Sequence, residues 1–280
     1  MGRACQQCRA RYAGQPGSGR CLGHLDGVRL FEARCGVDGR RFSPPGYETG
    51  HRLVLPRSGA YLLRVNGEEL FIDGSVATLT RPGDEMRVAH PLGCGDTFTA
   101  VELDPEVADR WPRGVWQFRL DDALDLHHRL LLTTCRRGDD LLAVAEQVHT
   151  IMDRLAAAPD GAARGGPARP ATAVLHRRLV SDAREVLADR RFALGLGEIA
   201  AAVNCSEHHL SRIFRRVTGE TLTEYRNRMR VRAVLSDLQD GADCLRTLAA
   251  RYGFADQSHL TRVVRKHLGR SPSTVKRMLA

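Results

Sequence analysis

Two groups of side chains in this sequence have types and spacings suited to chemistry. The first lies in the last third of the chain, where Leu210-Ser-Arg-Ile-Phe-Arg-Arg reappears about fifty residues later as Leu260-Thr-Arg-Val-Val-Arg-Lys. Arg212 and Arg262 occupy matching places in the two copies, and Gln257 stands just before the second. A guanidinium or a carboxamide can hold one base edge through two hydrogen bonds, which is how side chains read the major groove of DNA. The second group is Cys5-x2-Cys8-x12-Cys21-x2-His24. Three thiolates and an imidazole at such spacing can hold zinc tetrahedrally, and the same thiols are open to redox chemistry. Unliganded, reduced cysteines are the third reading of that group. Cys35, Cys94, Cys135, Cys205 and Cys244 read as small core or surface residues, and disulfides are not expected in a reducing compartment.

Base readers need a rigid mount. The repeat extends upstream, since Leu196-Gly-Glu-Ile-Ala-Ala-Ala-Val returns as Leu245-Arg-Thr-Leu-Ala-Ala-Arg-Tyr, and each copy closes on a glycine, Gly219 or Gly269. A support helix, a tight turn and a second helix with a basic outer face make a helix-turn-helix, here over 196–219 and 245–269. Asn204-Cys205 form the first turn, with Asn tolerant of positive φ, and Ser206 caps the helix that follows. Gly253 and Asp256 do the same in the second copy. Leu210, Ile213, Phe214 and Val217 then face inward, as do Leu260, Val263 and Val264. That leaves His208, Ser211, Arg212, Gln257, Ser258, His259 and Arg262 placed for base edges, and Arg215, Arg216, Thr261, Arg265 and Lys266 placed for phosphate. Between the copies, Leu222 to about Leu238 reads as one long helix carrying Arg226, Arg228, Arg230 and Arg232.

Charge agrees with that assignment. The chain of 280 residues has a formal net charge of +9. Residues 174–280 hold 20 basic and 11 acidic side chains, whereas residues 1–173 hold 22 of each, so all the excess lies in the half with the repeat. A basic module joined to a neutral one is the footprint of a polyanion-binding part with a partner domain. No apolar run is long enough to span a bilayer and the start lacks a signal-peptide core, so no membrane partner is expected and the cytoplasm is the default location.

Upstream, residues 1–23 read as an irregular Cys-rich arm. Residues 24–116 carry short apolar runs between turn signals, with Asn66-Gly67 the strongest hairpin signal, and suggest a small barrel or jelly roll. From 117 to 157 the periodicity turns helical: Leu120, Leu124, His127 and Leu131, then Leu141, Val144, Val148, Ile151 and Leu155. Asp139 is placed to cap the second helix of this hairpin, which can pack on the barrel, on a twin in another subunit, or on both. Residues 158–173 read as a flexible linker, and 174–280 as all-helical. No P-loop, nucleophile elbow or His-Glu-x-x-His motif supports an enzyme. The barrel also lacks a His-x-His pair, and Glu48, His51, Arg64 and His90 are no more than polar candidates for a binding cavity.

The segment 174–280 resembles the AraC/XylS family of bacterial transcription regulators. The resemblance is most specific in Gly253-Phe-Ala-Asp-Gln-Ser-His-Leu-Thr-Arg followed by Leu268-Gly-Arg-Ser-Pro-Ser. Val264 and Val275 depart from it, standing where the family often has Phe and Tyr. The resemblance implies an α+β multidomain chain: an N-terminal cupin-like sensor barrel with a helical dimerisation hairpin, a linker, and a C-terminal all-α double helix-turn-helix domain that binds double-stranded DNA. It further implies a homodimer, a small-molecule effector of unknown identity and, for an activator, contact with RNA polymerase. No cofactor is required on this reading, with zinc open only through Cys5, Cys8, Cys21 and His24. A competing class is DNA alkyl-phosphotriester repair, since some repair proteins join a cysteine-zinc module to such heads; the methyl-accepting Pro-Cys-His-Arg motif of that class is missing.

Overall fold

The computed structural model describes residues 17–35, 39–93, 96–111, 117–138, 140–157, 170–189 and 192–279. The chain divides into two compact units, Met1–Gly161 and Ala162–Ala280.

Among the described residues of the first unit, ten strands alternate with turns: β1 (Gly17–Leu25), β2 (Val28–Cys35), β3 (Gly46–Tyr47), β4 (His51–Ser58), β5 (Ala60–Val65), β6 (Glu68–Asp73), β7 (Val76–Thr80), β8 (Glu85–Ala89), β9 (Thr97–Leu103) and β10 (Gln117–Arg119). They pair into a six-stranded sheet, β1-β2-β9-β4-β7-β10, and a four-stranded sheet, β3-β8-β5-β6. Every pairing is antiparallel. Where a cupin-like barrel was the expectation, the strands form two separate sheets, with no closed ring among the described residues. The Asn66-Gly67 hairpin forms as expected: both residues take left-handed φ, 49° and 85°, and β5 pairs with β6 straight across the turn.

Residues 17–23, expected as irregular, belong to β1. Short polar and glycine residues hid the strand, which is held by its ladder to β2 from Gly17↔Cys35 to Leu25↔Val28 and not by its own propensity. Cys21 and His24 therefore lie on a paired strand, while Cys5 and Cys8 fall outside the described residues.

A short helix, α1 (Pro105–Ala108), precedes β10, and the hairpin follows as α2 (Asp122–Arg137) and α3 (Leu141–Ala157). Residues 117–119, expected in the hairpin, are the strand β10, whose Phe118 is drawn into the core opposite Ala77. Asp121 caps α2 by accepting the Leu124 N–H at 2.7 Å, and Gly138 ends it at φ 72°. Asp140 fills the cap of α3, taking the Leu142 N–H on its carboxylate at 3.1 Å; Asp139, the expected cap, lies outside the described residues. The apolar stripe of the hairpin packs on the six-stranded sheet. Leu124, Leu131, Val144, Val148, Ile151, Met152 and Leu155 share one core with Leu30, Leu53, Leu55, Leu79, Val101 and Leu103.

Because side chains alternate along a strand, the opposite face of that sheet carries a different set. There Glu102 receives Arg29 at 2.9 Å and Arg52 at 3.7 Å. Arg52 also reaches Glu48 at 3.3 Å, and the Thr80 hydroxyl donates to Glu48 at 3.2 Å. Of the four polar candidates, Glu48 belongs to this row and is buried, and His90 is buried elsewhere. His51 is half-buried on β4, and Arg64 pairs with Glu69 over the Phe42 ring.

Among the described residues, the regular elements of the second unit are all helices: α4 (Pro170–Asp189), α5 (Leu196–Ala202), α6 (Glu207–Thr218), α7 (Leu222–Gln239), α8 (Leu245–Arg251), α9 (Gln257–Leu268) and α10 (Pro272–Leu279). Residues 170–173, expected as the end of a linker, already form the first turn of α4. Pro170 suits a first helical position, and the alanines after it favour helix. Residues 158–169 fall outside the described residues.

Candidate nucleic-acid interface

The two helix-turn-helix heads are built alike down to single hydrogen bonds. In the first, α5 ends at Val203 and the chain turns through Asn204 at φ 53°; in the second, α8 ends at Tyr252 and turns through Gly253 at φ 68°. Past each turn an amide reaches back into the support helix, Cys205 N–H to Ala200 O at 3.0 Å and Phe254 N–H to Ala249 O at 2.9 Å. The Ser206 hydroxyl accepts the His209 N–H at 3.2 Å, and the Asp256 carboxylate accepts the His259 N–H at 2.6 Å. Each cap ties up an amide that would otherwise be orphaned at the helix start. Gly219 and Gly269 end α6 and α9 at φ 77° and 65°.

Burial follows the same repeat. Leu210, Ile213 and Phe214 are buried on α6, and Leu260, Val263 and Val264 on α9. Facing out on α6 are His208, Arg212, Arg215 and Arg216, with Ser211 half-exposed, and together these five line a groove of about 450 Å³. On α9, Gln257, Ser258, Arg262, Arg265 and Lys266 are exposed, and His259 and Thr261 are half-exposed. Every sequence-predicted base or phosphate residue thus sits on the outer face of one of the two helices. His259 is more constrained than the sequence suggests, because its Nδ1 accepts the Ala255 N–H at 3.2 Å and its ring meets Phe254 edge-on.

The positive surface is felt by its neighbours. His176, at the start of α4, faces His209 with ring centroids 6.5 Å apart. Its imidazole is held below the ordinary range by partial desolvation and then by Arg216, His209 and Arg212. Such a field favours an anion on this face.

Residues that sequence reasoning did not assign lie on α7, which belongs to both heads. Its first half, Leu222, Tyr225 and Met229, joins the core of the first head with Val180, Leu187, Ile199 and Phe214. Farther along, Arg228, Arg230 and Arg232 are buried. Arg228 pairs with Glu220. Arg226 donates to Leu194 O at 2.8 Å, and Arg230 donates to Phe192 O at 2.8 Å and Ala193 O at 3.3 Å. The Arg230 guanidinium also lies over the Phe254 ring in the second head, and a Cβ on Gly253 would come within 2.9 Å of it. The arginines of the spacer helix therefore hold backbone and aromatic groups of both heads. Desolvation lowers the Arg230 guanidinium to about 10, which leaves it charged at neutral pH. A signal was present in Arg226-Asn-Arg-Met-Arg-Val-Arg: Met229 and Val231 sit among the arginines, so charged and apolar residues do not separate onto two faces as on an ordinary surface helix.

A family model described as a helix-turn-helix domain matches residues 199–278. Over 89 residues the chain is 32% identical to the probable transcription factor PqrA of Proteus vulgaris, covering 32% of this chain and 73% of that protein. Over 79 residues it is 29% identical to the multiple antibiotic resistance protein MarA of Escherichia coli strain K12, covering 28% of this chain and 62% of MarA, less than two thirds of its length. Among solved structures, ToxT of Vibrio cholerae aligns over 90% of this chain and 98% of its own at 10% identity, with a TM-score of 0.35. A transcriptional regulator with an AraC-type DNA-binding domain from Chromobacterium violaceum aligns over 38% and 96% at 19% identity, with a TM-score of 0.35.

Replacing Arg230 by Met keeps an apolar stem and leaves the Phe192 and Ala193 carbonyls without their donor. Urea unfolding of the C-terminal unit, followed by circular dichroism, is expected to show a loss of about 2–4 kcal/mol. A change below about 0.5 kcal/mol, the range of an ordinary surface substitution, would refute the staple.

Proposed function

We propose for this chain, which belongs to the AraC/XylS family of DNA-binding transcription regulators, that its two heads read consecutive major-groove segments of one duplex. The observation that supports this reading is the matched outer face of α6 and α9, mounted on a shared helix. At about 1.5 Å per residue the 18 residues of α7 span about 27 Å. Successive major grooves on one side of a duplex lie about 34 Å apart. On this reading His208, Ser211 and Arg212 take base edges in one groove, and Gln257, Ser258, His259 and Arg262 in the next. His259 offers only its Nε2 for this, because Nδ1 is engaged in the turn. Arg215, Arg216, Thr261, Arg265 and Lys266 hold phosphates and set the register.

The N-terminal unit is, on the same proposal, a cupin-like sensor for a small-molecule effector. The polar row of Arg29, Glu102, Arg52, Glu48 and Thr80 supports a binding role, since it runs along the sheet face turned away from the hairpin core. On this proposal the regulator works in the cytoplasm as a homodimer that activates or represses, contacting RNA polymerase when it activates. Because the hairpin stripe is consumed by the sheet, the dimer contact is carried by the exposed Leu141 and Leu142 at the start of α3. Sedimentation velocity is expected to show a dimer that Leu142→Glu converts to monomer. A wild-type chain that stays monomeric at all concentrations rules this contact out.

The reading of the heads is tested by binding titrations on specific and random DNA. Arg212→Ala and Arg262→Ala are each expected to cost about 1–3 kcal/mol and to relax preference at different base positions. Lys266→Ala is expected to weaken all sequences alike and lower the salt slope by about one unit. Equal losses on specific and random DNA for the two arginine variants would overturn the base-reading assignment.

A further inference from the structure

The first unit, which carries neither head, brings together a thiol, an imidazole and a carboxylate that the DNA-reading function does not use. Cys35 closes β2, His90 follows β8, and Asp96 immediately precedes β9. One ligand atom from each lies within 4.8 Å of the other two. We propose that Cys35, His90 and Asp96 form a binding site for a divalent ion of the zinc class, independent of the DNA-reading assignment.

Three observations carry this. The first is a buried imidazole held against a buried carboxylate. His90 is 1% exposed and Asp96 4%. His90 Nε2 lies 3.0 Å from Asp96 Oδ1, yet neither atom, nor His90 Nδ1, is in hydrogen-bond geometry with any partner. That buried ion pair is the contact a bound cation would replace, the imidazole giving up its proton so that both side chains become ligands.

The second is the ligand set. Sulfur, nitrogen and oxygen donors in this combination suit zinc, whose bonds of about 2.0–2.3 Å place tetrahedral ligands roughly 3.3–3.6 Å apart. The His90–Asp96 spacing is already of that order. The Cys35 thiol lies within 4.8 Å of both, so its closer approach completes the set. Three protein ligands leave one position for water or an exchangeable group.

The third is the frame. Cys35 N–H donates to Asp96 O at 3.0 Å, and His90 N–H donates to Gly39 O at 2.8 Å. The Tyr61 ring lies 5.9 Å from the imidazole. Gly59, at φ 80°, gives Asp96 its room: a Cβ there would come within 2.6 Å of the Asp96 Cβ. The bound ion would tie the end of β2 to the connection between β8 and β9.

The test uses the full chain carrying Cys5→Ser, Cys8→Ser and Cys21→Ser, which removes the other cysteines with metal-ligand spacing. After loading with zinc and desalting, native mass spectrometry is expected to show one equivalent retained. Cobalt loading is expected to give a thiolate charge-transfer band. Cys35→Ala abolishes that band and the retained ion, and Asp96→Asn weakens binding at least tenfold against a chromophoric chelator. Asp96→Asn is nearly isosteric, so a loss of fold at Cys35→Ala does not spare the proposal its test. No retained zinc in the parent chain, or unchanged retention and affinity in both variants, would overturn the site.

Discussion

A guanidinium taken out of water has to be met by acceptors, and α7 buries the guanidiniums of Arg228 and Arg230. Arg228 finds Glu220, while Arg230, helped by the partly buried Arg226, finds the carbonyls of 192–194 that no helix or strand uses. That requirement fixes the loop between α4 and α5 against α7. Through Phe254 and the bare Cα of Gly253 it also fixes the second head against the same point. Charge that looks like a DNA-binding surplus in the sequence is thus partly internal scaffolding. The exposed arginines of α6 and α9 are the ones left for the proposed DNA contacts.

The duplicated head turns this scaffold into a reader. Each copy solves the same local problem, ending one helix and starting another within a few residues, with the same devices. A left-handed residue turns the chain, an amide reaches back to the support helix, and a side-chain oxygen caps the next helix. The outer faces therefore repeat in register about fifty residues apart, while the shared helix between them removes the freedom that two separately tethered heads would have. On the proposed reading, fixed spacing lets binding energy from two grooves add without a further ordering cost.

What was legible in the sequence is what is local. The caps at Ser206 and Asp256, the turn at Asn204, the Asn66-Gly67 hairpin and the stripes of α2 and α3 depend on neighbours a few residues away. β1 was missed because a strand of Gly, Ser and Arg is made by its partner. The start of α4 was missed because a composition rich in Ala and Pro also describes a linker. Burial of Arg228, Arg230 and Arg232 depends on packing from both heads, although the absence of a polar stripe was there to be seen. Cys35, His90 and Asp96 could not be grouped at all, since more than fifty residues separate the thiol from the other two and only the sheet topology closes that gap.

The central claim is that one chain holds its two reading helices at a fixed separation. The most direct measurement is a chemical-protection footprint on a bound site, repeated after inserting half a helical turn, about five base pairs, between the two protected segments. The account predicts two major-groove patches on one face of the duplex, with centres about ten base pairs apart, and loss of one patch with most of the affinity after the insertion. Two patches that both survive the insertion at unchanged affinity would contradict it.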